Sequence, residues 1–278
     1  MELVLWMTGA LFSFSLMAIG ARELSGEIDT VQILFFRSLI GLPVISMIIL
    51  RKRDFKLFLS KRLSLHLTRN VFHFIGQYGW ILGLGLLPMA EVFALEFTVP
   101  FWTLLIAAIA LNETITRRKL MAVLLGMVGV LIIVQPGSAL FDWNVLIVLA
   151  AAVFFSLAHV STKALVTTES ALTVLFYMCL IQLPIGLLLS LGHWTTPNAM
   201  EYRWLFILGL SALSAHYCLS RALSLADAGT VVTLDFMRLP FIALVGVVFY
   251  QENLALSLVM GSVLMLWGNY LNVGGAKR

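Results

Sequence analysis

Charged side chains are scarce in this chain: Asp, Glu, Lys and Arg together make up 12% of 278 residues, against roughly one-quarter in soluble domains. Hydrophobic residues fill 61% of it and the mean hydropathy is +1.00. Too little polar surface exists to clothe a water-soluble fold. Cysteine is nearly absent, and Cys179 and Cys218 both lie in apolar runs, which argues against a disulfide framework or a zinc site. There is no HExxH, no acidic metal cluster and no phosphate-cradling glycine loop, so no metal, no cofactor and no built-in nucleotide hydrolysis are expected. Gly209-Leu210-Ser211 precedes His216, but a serine and a histidine five residues apart point to different faces of a helix. The sequence therefore does not read as an enzyme. A basic leader is missing too: Glu2 runs straight into Leu3-Val4-Leu5-Trp6, the pattern of a first membrane helix rather than of a cleaved signal.

What the chain has in abundance is long apolar stretches. They fall at about Leu3 to Ala21, Thr30 to Leu50, Leu65 to Leu86, Ala90 to Leu111 and Leu120 to Val134. Five more run from about Val145 to Ser161, Leu172 to Leu191, Trp204 to Ala222, Gly229 to Tyr250 and Leu254 to Leu271. Inside a bilayer the backbone must bond to itself, and these lengths without strict alternation specify helices, not strands. Ten spans consume nearly the whole chain and leave no separate soluble domain.

The net charge of +4 speaks for topology, not nucleic acid, because the cations cluster between spans. With the N-terminus inside, Arg51, Lys52, Arg53, Lys56, Lys61, Arg62, Arg117, Arg118, Lys119, Lys163, Lys277 and Arg278 face the cytoplasm; only Arg22 and Arg203 face out. The positive-inside bias places both termini in the cytoplasm of a plasma membrane, as in a bacterial inner membrane. The basic run from Arg51 to Arg62 then anchors the chain against acidic lipid.

An internal repeat organises the ten spans. QYGWILGLGLLPMAEVFALEF, Gln77 to Phe97, aligns without a gap on HYCLSRALSLADAGTVVTLDF, His216 to Phe236, at an offset of 139 residues. Upstream the offset is 141, which pairs Ser15 with Ser156, Arg22 with Lys163 and Pro43 with Pro184. The chain thus divides into 1–137 and 138–278, five helices each. Five is odd, so the second unit enters the membrane from the opposite side, an arrangement suited to alternating access around a midplane site.

Val92 to Gly137, VFALEFTVPFWTLLIAAIALNETITRRKLMAVLLGMVGVLIIVQPG, resembles the end of an EamA-type domain of the drug/metabolite transporter superfamily. Val231 to Asn272 resembles the same segment, with Gln251-Glu252 in place of Asn112-Glu113. The resemblance implies two five-helix EamA units and a central cavity lined by helices one, three, four and their counterparts. It also implies transport of small solutes such as amino-acid derivatives, nucleosides, vitamins, S-adenosylmethionine or opine-like metallophores.

Charges within spans are costly, about 2.5–3.5 kcal/mol each on insertion scales, and mark partners or a watery cavity. Arg37 and Glu96 each lie about seven residues from a helix end, ~10 Å deep at 1.5 Å per residue, and can pair across helices. Asp235 is the repeat counterpart of Glu96; Arg238 lies one turn further on, and Arg221 is a second possible partner for Asp235. Three deep arginines against two carboxylates leave a positive surplus suited to a carboxylate-bearing substrate. Trp6, His73, Trp102 and His216 are candidate cavity-lining residues, and Gly79 and Gly83 form a small-xxx-small pair for close packing. Three functional readings stand at this stage. The first is an exporter of a carboxylate-bearing amino acid or derivative, such as an opine-like metallophore. The second is an uptake carrier or exchanger for S-adenosylmethionine or a relative, and the third a lipid-translocating or structural subunit. The partners expected are a small-molecule substrate and membrane lipids.

Overall fold

The computed structural model describes residues 2–135, 142–235, 238–251 and 256–273, and every regular element among them is helical. The first unit comprises α1 (Glu2–Leu24), α2 (Thr30–Lys52), α3 (Leu63–Leu86), α4 (Met89–Glu96), α5 (Val99–Ala110) and α6 (Arg117–Val134). The second comprises α7 (Val145–Val166), α8 (Ala171–Ser190), α9 (Ala199–Leu225), α10 (Ala228–Leu234), α11 (Arg238–Tyr250) and α12 (Leu256–Val273). This is an all-helical membrane protein of two like units.

Two predicted helices are broken. The apolar stretch from Ala90 to Leu111 is split between α4 and α5, and Gly229 to Tyr250 between α10 and α11. Pro100 accounts for the first break, since it sits in the opening turn of α5, where its missing N–H costs nothing. The irregular backbone is satisfied from within: Thr98 Oγ1 donates to the Leu95 carbonyl, and Ser156 Oγ on α7 donates to that of Val99. Pro43 and Pro184, by contrast, lie inside unbroken α2 and α8.

The two units are inverted. α4 packs on α11 while α10 packs on α5, so the two broken segments run antiparallel past each other. α1 packs on α9 as α7 packs on α3, and α2 pairs with α8 as α6 does with α12. Equivalent residues repeat the same local solutions. Asp29 and Ser170, 141 residues apart, each cap the following helix by accepting a backbone N–H, from Val31 and Leu172. Asn112 and Gln251 end α5 and α11 in the left-handed region, at φ 54° and 52°. Arg22 donates to the carbonyls of Leu84 and Leu87, and Lys163 Nζ donates to those of Leu223 (2.9 Å) and Ala226 (2.7 Å), the same two positions 139 residues on. Each cation satisfies orphan carbonyls at a helix C-terminus. Lys163 does so at the end of the bundle that holds Glu2, and Arg22 at the other.

Among the described residues, six segments are long and apolar enough by themselves to cross a membrane. α3 is not among them, for a reason that leads to the site. His66, Arg69, Asn70, His73 and Gln77 recur at helical spacing along it, and all are buried. Gly76 and Gly79, neighbouring this polar stripe, let α3 close on α7: a Cβ on Gly79 would lie 3.1 Å from that of Ala151 and 3.2 Å from the Ile147 carbonyl. The small residues serve close packing.

Candidate substrate cavity

Repeat-related residues meet at the centre of the bundle. Gln77 Nε2 on α3 lies 3.4 Å from Nε2 of its own counterpart, His216 on α9. The small cavity beside them, about 20 Å³ and room for about one water, is walled by Phe14 and Phe155, Gln77 and His216, Trp80 and Leu219, and Glu96 and Asp235. Each is a repeat-related pair. Met17, His159 and Arg238 complete the wall. The cavity therefore lies on the pseudo-twofold axis relating the two units.

The two carboxylates converge on one guanidinium. Arg238 Nη2 donates to Glu96 Oε1 at 2.6 Å and to Asp235 Oδ2 at 2.8 Å, and Trp80 Nε1 donates to Glu96 Oε2 at 2.7 Å. Arg238 is 1% exposed, its Cζ between the rings of Phe14 (4.8 Å) and Phe93 (4.9 Å). The helix breaks position these groups: Glu96 closes α4, Asp235 follows α10, and Arg238 opens α11. Two carboxylates against one arginine leave this cluster with a formal charge of −1, and Asp235 Oδ1 is without a hydrogen-bond partner among the described residues. Placed among aromatic rings, that charge attracts a cation.

Several expectations need correcting. Arg37 does not pair with Glu96; it is buried against Gln182 on α8, whose Oε1 accepts from its Nη2. The two residues share a depth but face different neighbours. Arg221 does not approach Asp235. It reaches Glu2 at 3.3 Å at the half-open end of the bundle and lies over the Trp6 ring, so Trp6 belongs to that end and not to the cavity. Asp235 and Arg238 are indeed partners, but across a helix break instead of along one helix. Of the other candidates, His216 lines the cavity, His73 lies behind it with ring centroids 4.5 Å apart, and Trp102 packs edge-on against Phe101 away from the cavity wall. Glu252, the expected counterpart of Glu113, lies outside the described residues. Glu113 itself caps α10, accepting from the Ala228 N–H at 3.0 Å.

Arg69 and Gln182 escape a reading by charge depth alone. Arg69 sits near a helix end in sequence, yet it is 2% exposed, donating to Thr162 Oγ1 (3.1 Å) and Asn70 Oδ1 (2.8 Å). The signal that finds it is the polar stripe on α3.

Comparison with known proteins agrees with this architecture. A solved crystal structure superimposes with a TM-score of 0.81 at 18% identity, over 99% of this chain and 98% of the other, which shows the shared fold. The S-adenosylmethionine uptake transporter of Rickettsia prowazekii is 26% identical over 95% of this chain and 89% of its own length. A riboflavin transporter of Rhizobium johnstonii is 31% identical over 72% of this chain and 67% of its own. The pseudopaline exporter CntI of Pseudomonas aeruginosa is 26% identical over 92% and 90%. The model of the EamA-like transporter family matches residues 1–135 and again 142–274, and the chain, a transporter and not an enzyme, belongs to that family.

Proposed function

We propose that this transporter carries S-adenosylmethionine or a closely related metabolite by alternating access, as an uptake carrier or exchanger. The observation that carries the reading is the convergence of two carboxylates on one arginine, a formal charge of −1, at the aromatic-walled cavity on the pseudo-twofold axis. S-adenosylmethionine presents a sulfonium cation beside a flat purine. The Glu96–Asp235 pair suits the cation, and Trp80, Phe14 and Phe155 supply the aromatic wall of the cavity that would open to admit a flat purine. Similarity to S-adenosylmethionine uptake transporters of several Rickettsia species supports this reading, and the cluster would repel the several carboxylates of an opine-like metallophore. Both termini lie in the cytoplasm on this reading, as the loop cations require.

Purified protein in nucleotide-free liposomes is expected to exchange labelled for unlabelled S-adenosylmethionine saturably. S-adenosylhomocysteine, which lacks the sulfonium charge, should compete at least tenfold more weakly. Absence of exchange, or a strict need for ATP, rejects the proposal; exchange of riboflavin in its place points to the flat-ring vitamin reading that the riboflavin-transporting relatives raise.

A further inference from the structure

Two buried arginines stand apart from the Glu96–Arg238–Asp235 cluster, and neither has an acidic partner. Arg37 is 3% exposed and Arg69 2%; among the described residues no carboxylate lies within ion-pair distance of either. Neutral amides tie them together. Gln182 Oε1 accepts from Arg37, Gln182 Nε2 donates to Asn70 Oδ1 at 3.0 Å, and that same oxygen accepts from Arg69 at 2.8 Å. The amide oxygens are thereby committed, while among the described residues Arg37 Nε and Nη1 have no hydrogen-bond partner. Up to three N–H donors of a buried cation thus face no acceptor, an arrangement that calls for an anion.

The pair is joined to the central cavity. Gln182 Nε2 lies 2.9 Å from His73 Nδ1, and the His73 ring meets that of His216, which lines the cavity. One net-negative pole at α10–α11 and one doubly positive pole at α2 and α3 are thus linked through the packed side chains of His216, His73 and Gln182. Arg238, bound twice by carboxylates, is already neutralised and is a poor receptor for another anion; Arg37 and Arg69 are not. A zwitterion carries one charge for each pole.

We propose that Arg37 and Arg69 form an anion subsite that takes the carboxylate of the transported metabolite, while the Glu96–Asp235 pole takes its cationic end. The guanidinium fork suits a carboxylate better than a spherical ion, and the neutral Gln182–Asn70 bridge holds both forks without quenching their charge. The assignment of the ligand as a zwitterion rests on the substrate reading above; the existence of the anion subsite does not.

Two measurements test it. In proteoliposomes, unlabelled S-adenosylmethionine and its decarboxylated analogue are compared as inhibitors of labelled S-adenosylmethionine uptake. The wild type is expected to prefer the carboxylated ligand at least tenfold. Arg37→Gln is expected to lose that preference while its inhibition by the decarboxylated analogue stays within twofold, and Arg37→Lys to regain part of it. A wild type indifferent to the carboxylate overturns the assignment. The second measurement needs no S-adenosylmethionine: the melting temperature of the detergent-purified wild type and of Arg37→Lys is titrated with acetate and with chloride at constant ionic strength. A saturable rise specific to acetate, reduced in Arg37→Lys, is expected. An equal rise with chloride would assign the pair to a free inorganic anion, and no rise with either would remove the anion subsite altogether. If S-adenosylmethionine is not exchanged, the substrate reading fails, and the acetate titration still decides the subsite.

Discussion

Arg22 and Lys163 do the same work in the two units, each closing the C-terminal carbonyls of the neighbouring helix at matching positions. Arg238 has no such twin, because Val99 occupies its place in the first unit. Caps, helix breaks and the acid at the break recur across the repeat; the cations near the cavity do not. Duplication preserves the frame that an inverted pair needs for rocking, whereas a ligand without twofold symmetry requires the centre to become unequal. The asymmetry is thus concentrated in Arg238, in His216 opposite Gln77, and in the Arg37–Arg69 pair.

Removing Arg238 should break this comparison most severely. Arg238→Gln leaves Glu96 and Asp235 buried and mutually repulsive, a loss expected to be about 3–5 kcal/mol of stability. Asp235→Asn with Arg238→Gln restores the original charge of −1, so it should recover most of the folded yield in detergent and part of the transport. A double variant no more stable than the single one would show that Arg238 acts through its aromatic contacts and not through charge.

The repeat also permits a transplant. In Val99→Arg with Arg238→Val, the arginine approaches the same two carboxylates from the other side of the axis. It gains Phe155 in place of Phe14, while the sequence has a valine, Val232, at the repeat counterpart of Phe93. Relative to Arg238→Val alone, about half of the lost stability should return, since the native charge of −1 is restored and one aromatic face is kept. Melting temperatures of the three proteins check this. No recovery would mean that the cavity is far less symmetric than its lining suggests.

Much of this frame was legible in the sequence, and the reason is physical. Bilayer thickness fixes the length of an apolar stretch, and a gap-free repeat aligns Glu96 with Asp235, so ten spans, inversion and two paired acids follow from residues alone. Two things did not. Proline signals a weak point but not whether a helix bends or breaks: Pro43 and Pro184 are accommodated within helices, while Pro100 begins a new one. Pairing of buried charges depends on which face of a helix a side chain leaves, and a one-dimensional depth cannot supply it. Arg37 and Glu96 share a depth and still find different partners. Arg69 was hidden by its place near a helix end, where depth counting assigns it to no site.

The paired caps yield a smaller effect, confined to one end of the bundle in each variant. Each cap is a charge-assisted hydrogen-bonding group worth about 1.5–3 kcal/mol. Arg22→Met should increase hydrogen exchange at residues 84–88 with little change at 223–227, and Lys163→Met should do the reverse. Increased exchange at both ends in either variant would mean that the caps are coupled through general loosening, so that neither end opens independently.

The smallest difference concerns pH. Asp227, in the turn between α9 and α10, pairs with Lys119 at 3.0 Å and accepts from the Thr230 N–H at 2.7 Å. Burial pushes its carboxyl up, but the bonds from Thr230 and Lys119 outweigh burial and hold it below the usual carboxylate range. A depressed folded-state value means that the ionised form stabilises the fold at neutral pH. That contribution fades as pH falls through the ordinary carboxylate range near 4 and is lost below the folded value. At the equivalent place in the first unit stands Pro88, which cannot titrate. Acidification should therefore raise hydrogen exchange at 223–227 before it does so at 84–88. Asp227→Asn keeps an acceptor for Thr230, so its melting temperature should lie slightly below that of the wild type at pH 7, by the equivalent of less than about 1 kcal/mol for a pair whose carboxylate is open to solvent. The two should converge below pH 4. A gap that persists in acid would trace the stabilisation to the shape of the side chain and not to its charge.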